Sequence, residues 1–483
     1  MPELAAVRAS LQSIDQAHLL NFFGQLTPAQ QESLLTQISA LDLASIPALV
    51  KEYVLSKPGF GAPGEIKPPT YYPARGDSAV RRYDQAKFRA IGEELLRAGK
   101  VACFTVAGGQ GTRLGYDGPK GCYPAGAVTN KPLFQVFAEG VLAAGRKYGK
   151  PVLWYIMTSP LNHAATVAFF ESRAYFGLAK DQVKFFPQGV MPSFDLATGK
   201  VLLAAPGEVA TNPDGHGGAV RALKVSGALA DMKARGIEQV SYFQVDNPLA
   251  KVVDPLFLGL HAGAEDSSGE MSSKFVPKAG PEEKVGVFCS VGGRTEVVEY
   301  SDMPAALTQA RNADGSLTYM AGSIAIHIIS VEFLSRLASD AAFSLPYHRA
   351  EKKVPHIDLR TGQAVNPEKP NGVKLERFVF DALAMCGRGA RKGGSILLET
   401  DRVEEFAPIK NATGTDSPET CRQIQTQRAA RWLEAAGVKV PRRGGDGSVD
   451  GVLEISPLSA LEPADLAPRV KGLELVPGLQ VVL

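Results

Sequence analysis

Apolar positions in the first part of the chain recur at helical spacing: Leu4, Val7, Leu11 and Ile14, then a run from Leu19. Thr27-Pro28-Ala29-Gln30 adds a capping hydroxyl, a proline at the first helical position and Gln at the third. Residues 3–56 are therefore predicted to be helical throughout. The pattern then breaks, because Lys57–Asp77 carries Pro58, Pro63, Pro68, Pro69 and Pro73. Proline at that density excludes helix and central strand, so the stretch is a linker or an extended arm lying on the domain that follows.

From Arg82 the pattern alternates between helix and strand. Helix 82–98 leads to strand Val101–Ala107, a glycine-rich loop and helix 131–147. Strand Val152–Met157, helix 162–175 and strand Val183–Phe186 follow, then helix 218–234 and strand Val240–Val245. Such alternation predicts an α/β fold, a mostly parallel twisted sheet flanked by helices. Two short runs about a Gly-Gly pair, Val285–Val291 and Thr295–Tyr300, predict an antiparallel excursion. From about Asp446 the pieces Val452–Ile455, Leu473–Val476 and Gln480–Leu483 are β-prone and spaced by Pro and Gly, predicting a small β-rich appendage. The linear division is 1–95 for the helical segment and arm, 96–400 for the α/β domain and 401–483 for a C-terminal domain.

Composition removes several classes of function. With 52 Lys+Arg against 50 Asp+Glu, the formal charge of +2 supplies no field for nucleic acid. The longest apolar stretches, Val101–Ala107 and Gly322–Val331, are far shorter than a membrane span, and Met1–Ala6 has no basic region leading into an apolar one. Cys103, Cys122, Cys289, Cys386 and Cys421 form no C-x-x-C pair, so neither a disulfide framework nor a zinc site is expected, and a reducing cytoplasm is. Cys122 lies in the glycine-rich loop, where a small packing residue is a better reading than a nucleophile, since no His is near it in sequence. Nothing in the sequence sets the oligomeric state, and a monomer is compatible with it.

The strongest chemical signal is Val106-Ala-Gly-Gly-Gln-Gly-Thr-Arg-Leu-Gly115, followed by Pro119-Lys120-Gly121. It begins at the carboxyl end of a predicted strand, where open α/β sheets bind ligands, and its glycines let backbone N–H groups approach an anion. It lacks the G-x-x-x-x-G-K-[ST] order, and Leu114 stands where a dinucleotide fingerprint needs its third glycine. An ordinary turn needs one or two glycines; this loop has four together with Arg113 and Lys120, which predicts a phosphate cradle. Asp246-Asn247 follows another buried strand, and from spacing alone is equally a Mg²⁺ ligand or a cap ahead of Pro248.

With the loop, the motifs Tyr155-Ile-Met-Thr-Ser159, Phe185-Phe-Pro-Gln-Gly189, Pro213-Asp-Gly-His-Gly-Gly218, Val245-Asp-Asn247, Val298-Glu-Tyr300, Lys369-Pro-Asn-Gly-Val-Lys374, Phe378-Val-Phe-Asp381 and Phe406-Ala-Pro-Ile-Lys-Asn411 occur in this order. The chain thereby resembles the eukaryotic-type UDP-sugar pyrophosphorylases, and within them those acting on N-acetylglucosamine, from about Gln85 to about Asn411. The resemblance implies a nucleotide-diphosphosugar transferase fold, Mg²⁺, and formation of UDP-sugar and pyrophosphate from UTP and a sugar 1-phosphate. It assigns Arg113 and Lys120 to the departing phosphates, Lys374 and Lys410 to the reacting ones, and Asp246 to the metal. Val106, Ala107, Gly108, Gly109, Gln188 and Gly215 fall at nucleotide positions, and Glu299 and Tyr300 at the sugar.

Two departures lie around the sugar. His216 replaces the Asn usual in the N-acetylhexosamine enzymes, which leans toward glucose, and Met320-Ala-Gly-Ser323 has lost two amides of the family pattern. UDP-glucose synthesis is thus the rival within the class. A nucleotide-sugar sensor without activity is the rival outside it, disfavoured because every charge at the reacting phosphates is kept. The remaining histidines, such as His163, His261, His327, His348 and His356, are expected to cap or pack.

Overall fold

The computed structural model describes residues 3–56, 64–339, 345–389 and 391–483. They form two compact units, one drawn from 1–61, 188–219 and 344–379, the other from 62–187, 220–343 and 380–483. Two mid-chain segments therefore group with the N-terminal helices, a long-range arrangement that the linear division into 1–95, 96–400 and 401–483 does not contain.

The smaller unit is built on the helices foreseen at its N-terminus, including Leu4–Ser13 and Pro28–Ala40. Thr27 and Gln30 close the capping box. Leu11, Leu34, Ile38 and Leu49 pack with Phe194, Val201, Leu203, Val373 and Leu375 from the mid-chain segments. Gly372–Arg377 pairs antiparallel with Tyr347–Lys352 on one side and with Phe194–Asp195 on the other.

The larger unit carries α1 (Gln85–Arg97), β1 (Val101–Val106), α2 (Leu133–Tyr148), β2 (Leu153–Thr158), α3 (His163–Ser172), β3 (Val183–Pro187), β4 (Gln239–Gln244), α4 (Pro255–Gly263), β5 (Met271–Pro277), β6 (Ala321–Ser330) and α5 (Pro418–Ala435). Strands β4, β1, β2 and β3 are parallel neighbours in that order. Their apolar runs are buried on both faces, as a parallel sheet under helices requires. Cys103, Trp154, Ile156 and Phe243 meet Phe134, Phe137, Val141 and Leu258 from α2 and α4. Beyond β4 the sheet turns antiparallel through β6, which pairs with β5 and with Val287–Val291. The excursion is the foreseen hairpin: Val287–Val291 returns as Arg294–Val298 through Gly292 and Gly293, both at positive φ.

The arm holds as an extended piece from residue 64. Ile66 pairs with Val291, and Tyr72 exchanges backbone hydrogen bonds with Leu397 and Glu399; Pro58 and Pro63 lie outside the described residues. Helix 218–234 is two helices, Ala219–Val225 and Ala228–Ala234, because Gly227 turns at φ 74°. The C-terminal expectation also needs correction. Gly451–Glu454 and Leu479–Val482 pair in parallel, but Leu473–Val476 forms no strand, and Leu473 and Leu475 serve as packing for a core dominated by α5. That helix starts on a Ser417–Thr420 capping box that the sequence reading passed over.

Candidate functional site

In the larger unit the candidate residues gather at the carboxyl edge of the parallel strands. The glycine-rich loop leaves β1 with the Ala107 N–H on the Met157 carbonyl, then folds on itself. Gly111 N–H donates to Gly118, Tyr116 N–H to Gly111, and Lys120 N–H returns to the Gly109 carbonyl at 3.0 Å. A side chain at Gly121 would sit 2.1 Å from the Phe134 ring, so this return turn is packed directly on α2. Arg113 stands exposed on the loop's outer turn, with no ion pair among the described residues.

Lys120 and Asp246 come together: Nζ lies 3.3 Å from Oδ2, and both side chains are largely buried. Asp246 follows β4, the parallel neighbour of β1, which is why residues so distant in sequence share one edge. The Asp246 carbonyl accepts from Ile409 N–H at 2.8 Å, so the Phe406–Lys410 motif is laid against it. Lys410 is the other pre-paired cation, at 3.2 Å from Asp416 Oδ2 and over the Phe406 ring. Among the described residues no three His, Cys, Asp or Glu side chains converge as a metal cage. One carboxylate at the lip of a glycine-rich loop fits Mg²⁺, which takes one or two carboxylates and fills its shell with phosphate oxygens and water.

One residue here escaped sequence reading. Asn162, fully buried after β2, donates from Nδ2 to the carbonyls of Ala107 (2.9 Å) and Gly109 (3.2 Å) and accepts from Ser159 N–H at 2.8 Å. It fixes the start of the loop. Cys122 is the packing residue expected, and burial pushes its thiol up to about 12, which removes it as a nucleophile at neutral pH.

Of the residues expected at the sugar, Glu299 and Ser323 are brought together about Gly286. Ser323 N–H donates to the Gly286 carbonyl at 2.8 Å, and a Cβ on Gly286 would lie 3.2 Å from a Glu299 carboxylate oxygen. Tyr300 is half exposed at the following turn.

The smaller unit organises its candidates differently. The Pro213–Gly218 turn rests on the backbone of Arg377 and Phe378: Arg377 N–H donates to the Asp214 carbonyl, and a Cβ on Gly215 would sit 2.4 Å from the Arg377 oxygen. Gly215 also has φ 82°, so glycine is required twice over. Asp214 in turn fills the space that side chains at Gly189 and Gly218 would take, and Gln188, next to Gly189 in sequence, is buried. His216 stacks on Phe378 at 5.0 Å, and His348 stacks on the same ring at 4.1 Å. Val379 N–H donates to His216 Nδ1 at 3.1 Å, which leaves the proton on Nε2 as a donor. Burial, with His348 nearby, pushes this imidazole down to about 4, so it is neutral at physiological pH. Lys374 lies on Gly372–Arg377 paired with Ala350, and its ammonium makes no hydrogen bond or ion pair to another described residue. The other histidines cap and pack, as expected: His261 bonds Ser272 and Gln239, and His327 bonds Ser273.

Residues 66–415 match the family described as UTP–glucose-1-phosphate uridylyltransferase. The chain belongs to this family. It is 36% identical to the UDP-N-acetylglucosamine pyrophosphorylase of Saccharomyces cerevisiae over 88% of this chain and 90% of that one. It is 37% identical to UDP-N-acetylglucosamine diphosphorylase 2 of Arabidopsis thaliana, covering 88% and 84%. Among solved structures, it resembles the uridine diphosphate N-acetylglucosamine pyrophosphorylase of Trypanosoma brucei, crystallised with an inhibitor, with TM-score 0.83 and 27% identity over 100% and 98% of the two chains. The fold is thus that of the nucleotidyltransferase-type pyrophosphorylases, as the sequence motifs implied. Among the described residues no single helix is long and apolar enough to cross a membrane.

Proposed function

We propose that this nucleotidyltransferase makes UDP-N-acetylglucosamine and pyrophosphate from UTP and N-acetylglucosamine 1-phosphate. The observation that carries the reaction is the Lys120–Asp246 pair, seated at the lip of a glycine loop and tied through Ile409 to the Lys410 motif. Nucleotidyl transfer asks for positioning and charge neutralisation at an in-line phosphorus, with little covalent chemistry from the protein. Oxygen of the sugar phosphate attacks Pα of UTP, and the Pα–O bond to the β-phosphate breaks as pyrophosphate leaves. The attacking phosphate is already ionised at neutral pH, so no general base is needed.

In this reading Lys120 and Arg113 hold the departing phosphates, and Lys410 neutralises the α-phosphate. Lys374 serves the sugar phosphate, its ammonium uncommitted to any other described residue. Asp246 would hold Mg²⁺, which would supply neutralisation of charge on the triphosphate. Val106 to Gly109, Gln188 and Gly215 receive the nucleoside, and His216, Glu299, Tyr300 and Ser323 the sugar. Five unbridged cysteines fit a reducing cytoplasm.

The sugar rests on how the relatives are named, while His216 favours glucose 1-phosphate as a second reading. Its Nε2–H offers one donor to a hydroxyl or phosphate, where an amide would offer a donor and an acceptor. Pyrophosphate release measured in parallel with UTP and the two sugar phosphates decides: preference for N-acetylglucosamine 1-phosphate supports the first reading, and preference for glucose 1-phosphate replaces it.

A further inference from the structure

Strand β5 runs Met271-Ser-Ser-Lys-Phe-Val-Pro277 through the interior, and the lysine in its middle is only 1% exposed. Lys274 Nζ donates to Asp254 Oδ2 at 2.5 Å and to both oxygens of Glu405 at 2.7 and 2.6 Å. Thr400 Oγ1 gives Glu405 a further bond at 2.6 Å, and Lys251 lies 3.6 Å from Asp254. Burial pushes both carboxyls up, but Lys274 and Lys251 pull them further down, so both are ionised. Strand pairing also slips here. Lys274 pairs with Ile326 and Phe275 with Ser323, leaving Ile324 and Ala325 in a bulge with Ala325 at φ 55°.

A buried ion pair is a poor means of raising stability, because desolvation offsets most of the attraction and apolar residues of like volume serve as well. Its position is more telling. The backbone carbonyl of Glu405 accepts from Asn247 Nδ2 at 2.7 Å, and Asn247 Oδ1 accepts from Ala407 N–H at 3.0 Å. Together with the Ile409 N–H to Asp246 carbonyl bond, three hydrogen bonds latch Asp246-Asn247 onto residues 405–409. Lys410 is the next residue. Both polar ends of the Asn247 amide are thus committed to the backbone that Glu405 anchors.

We propose that Lys274 and Glu405 are positioning residues for uridylyl transfer, fixing Asp246 and Lys410 relative to one another through the Asn247 latch. The inference rests on the reading of Asp246 and Lys410 as phosphate-handling groups. Neither Lys274 nor Glu405 touches substrate in this account. Their effect is on where the two groups stand when the α-phosphate reacts, so it falls on kcat rather than on nucleotide binding.

The direct test is Glu405→Gln, which keeps the shape and the Thr400 bond and leaves Lys274 paired with Asp254. The expected result is a kcat at least tenfold lower, KM for UTP within twofold, and faster hydrogen exchange across 405–411 in the substrate-free protein. Asn247→Ala is expected to do the same, and the double variant to be no worse than the poorer single. Thr400→Val is the milder companion should Glu405→Gln not fold, with kcat two- to threefold lower at unchanged KM. Folded variants with wild-type kcat, or with UTP affinity lost while kcat is held, overturn the inference. Asp246→Ala assayed alongside separates the two levels. An active Asp246→Ala sinks the underlying reading; an inactive one beside a fully active Glu405→Gln sinks only the positioning role.

Discussion

The two units hold their candidate residues by opposite means. In the larger one, apart from the exposed Arg113, charge is matched to charge: Lys120 with Asp246, Lys410 with Asp416, Lys274 with Asp254 and Glu405. In the smaller one, backbone is matched to backbone. Glycines 215 and 217 let one turn lie on the Arg377–Phe378 peptide, and Lys374 is left with no described partner. The difference teaches what each can give. A pre-paired cation is oriented but must leave its carboxylate to meet an anion, whereas an unpaired cation on a strand is available at once.

The largest contrast expected is between Lys120 and Lys374. Replacing Lys120 by Ala strips the loop of its buried cation and leaves Asp246 unpaired, and pyrophosphate release should fall about a thousandfold. Lys374→Ala breaks no ion pair, so its loss should appear mainly in KM for the sugar phosphate. Equal effects on the same parameter would erase the distinction.

Gly215→Ala probes the backbone-matched turn. A Cβ there meets the Arg377 carbonyl at a φ of 82°, and the expected cost is about 2 kcal/mol in unfolding free energy, read from denaturant titration. A neutral result would mean that the turn does not need its close approach.

Acid acts on both units in the same direction. His216 in one and His261 in the other are held neutral, burial pushing them down to about 4 and about 3 from 6.5. The unfolded chain binds the protons first, so their contribution is fully present above pH 6.5 and is lost as pH falls through the window below it. Denaturant titrations between about pH 7 and 5 should show stability falling with acid, and His261→Gln should flatten that slope. A slope unchanged in the variant would contradict the assignment.

The smallest effect expected is on choice of sugar. His216→Asn restores an amide at the stacked position, and should move the ratio of kcat/KM for the two sugar phosphates toward N-acetylglucosamine 1-phosphate by about tenfold or less, one or two hydrogen bonds' worth. A shift toward glucose would reverse the role given to the imidazole.

What sequence could supply tracks how local each feature is. The loop around Gly108 to Gly121 is legible because strand, glycines and cation lie within a few residues, whereas spacing alone left Asp246 equally a cap or a ligand. The Thr27–Gln30 cap and the Gly292-Gly293 hairpin are equally local. Asn162 was not legible, since its meaning comes from carbonyls 53 and 55 residues away. Lys274 left a signal that periodicity alone does not interpret, a charge inside an apolar strand, but its partner Glu405 lies 131 residues on. The grouping of 188–219 and 344–379 with the N-terminal helices is likewise fixed by packing, through Phe194, Val373 and Leu375 on Leu34 and Ile38, and no single stretch announces it.

The most direct test of the central claim is the identity and stoichiometry of the products that the purified chain forms from UTP and N-acetylglucosamine 1-phosphate, with Asp246→Ala in parallel. One pyrophosphate is expected for each UDP-N-acetylglucosamine, with both products lost in the variant while its fold is kept. No product from the intact protein, or the same yield from Asp246→Ala, would contradict it.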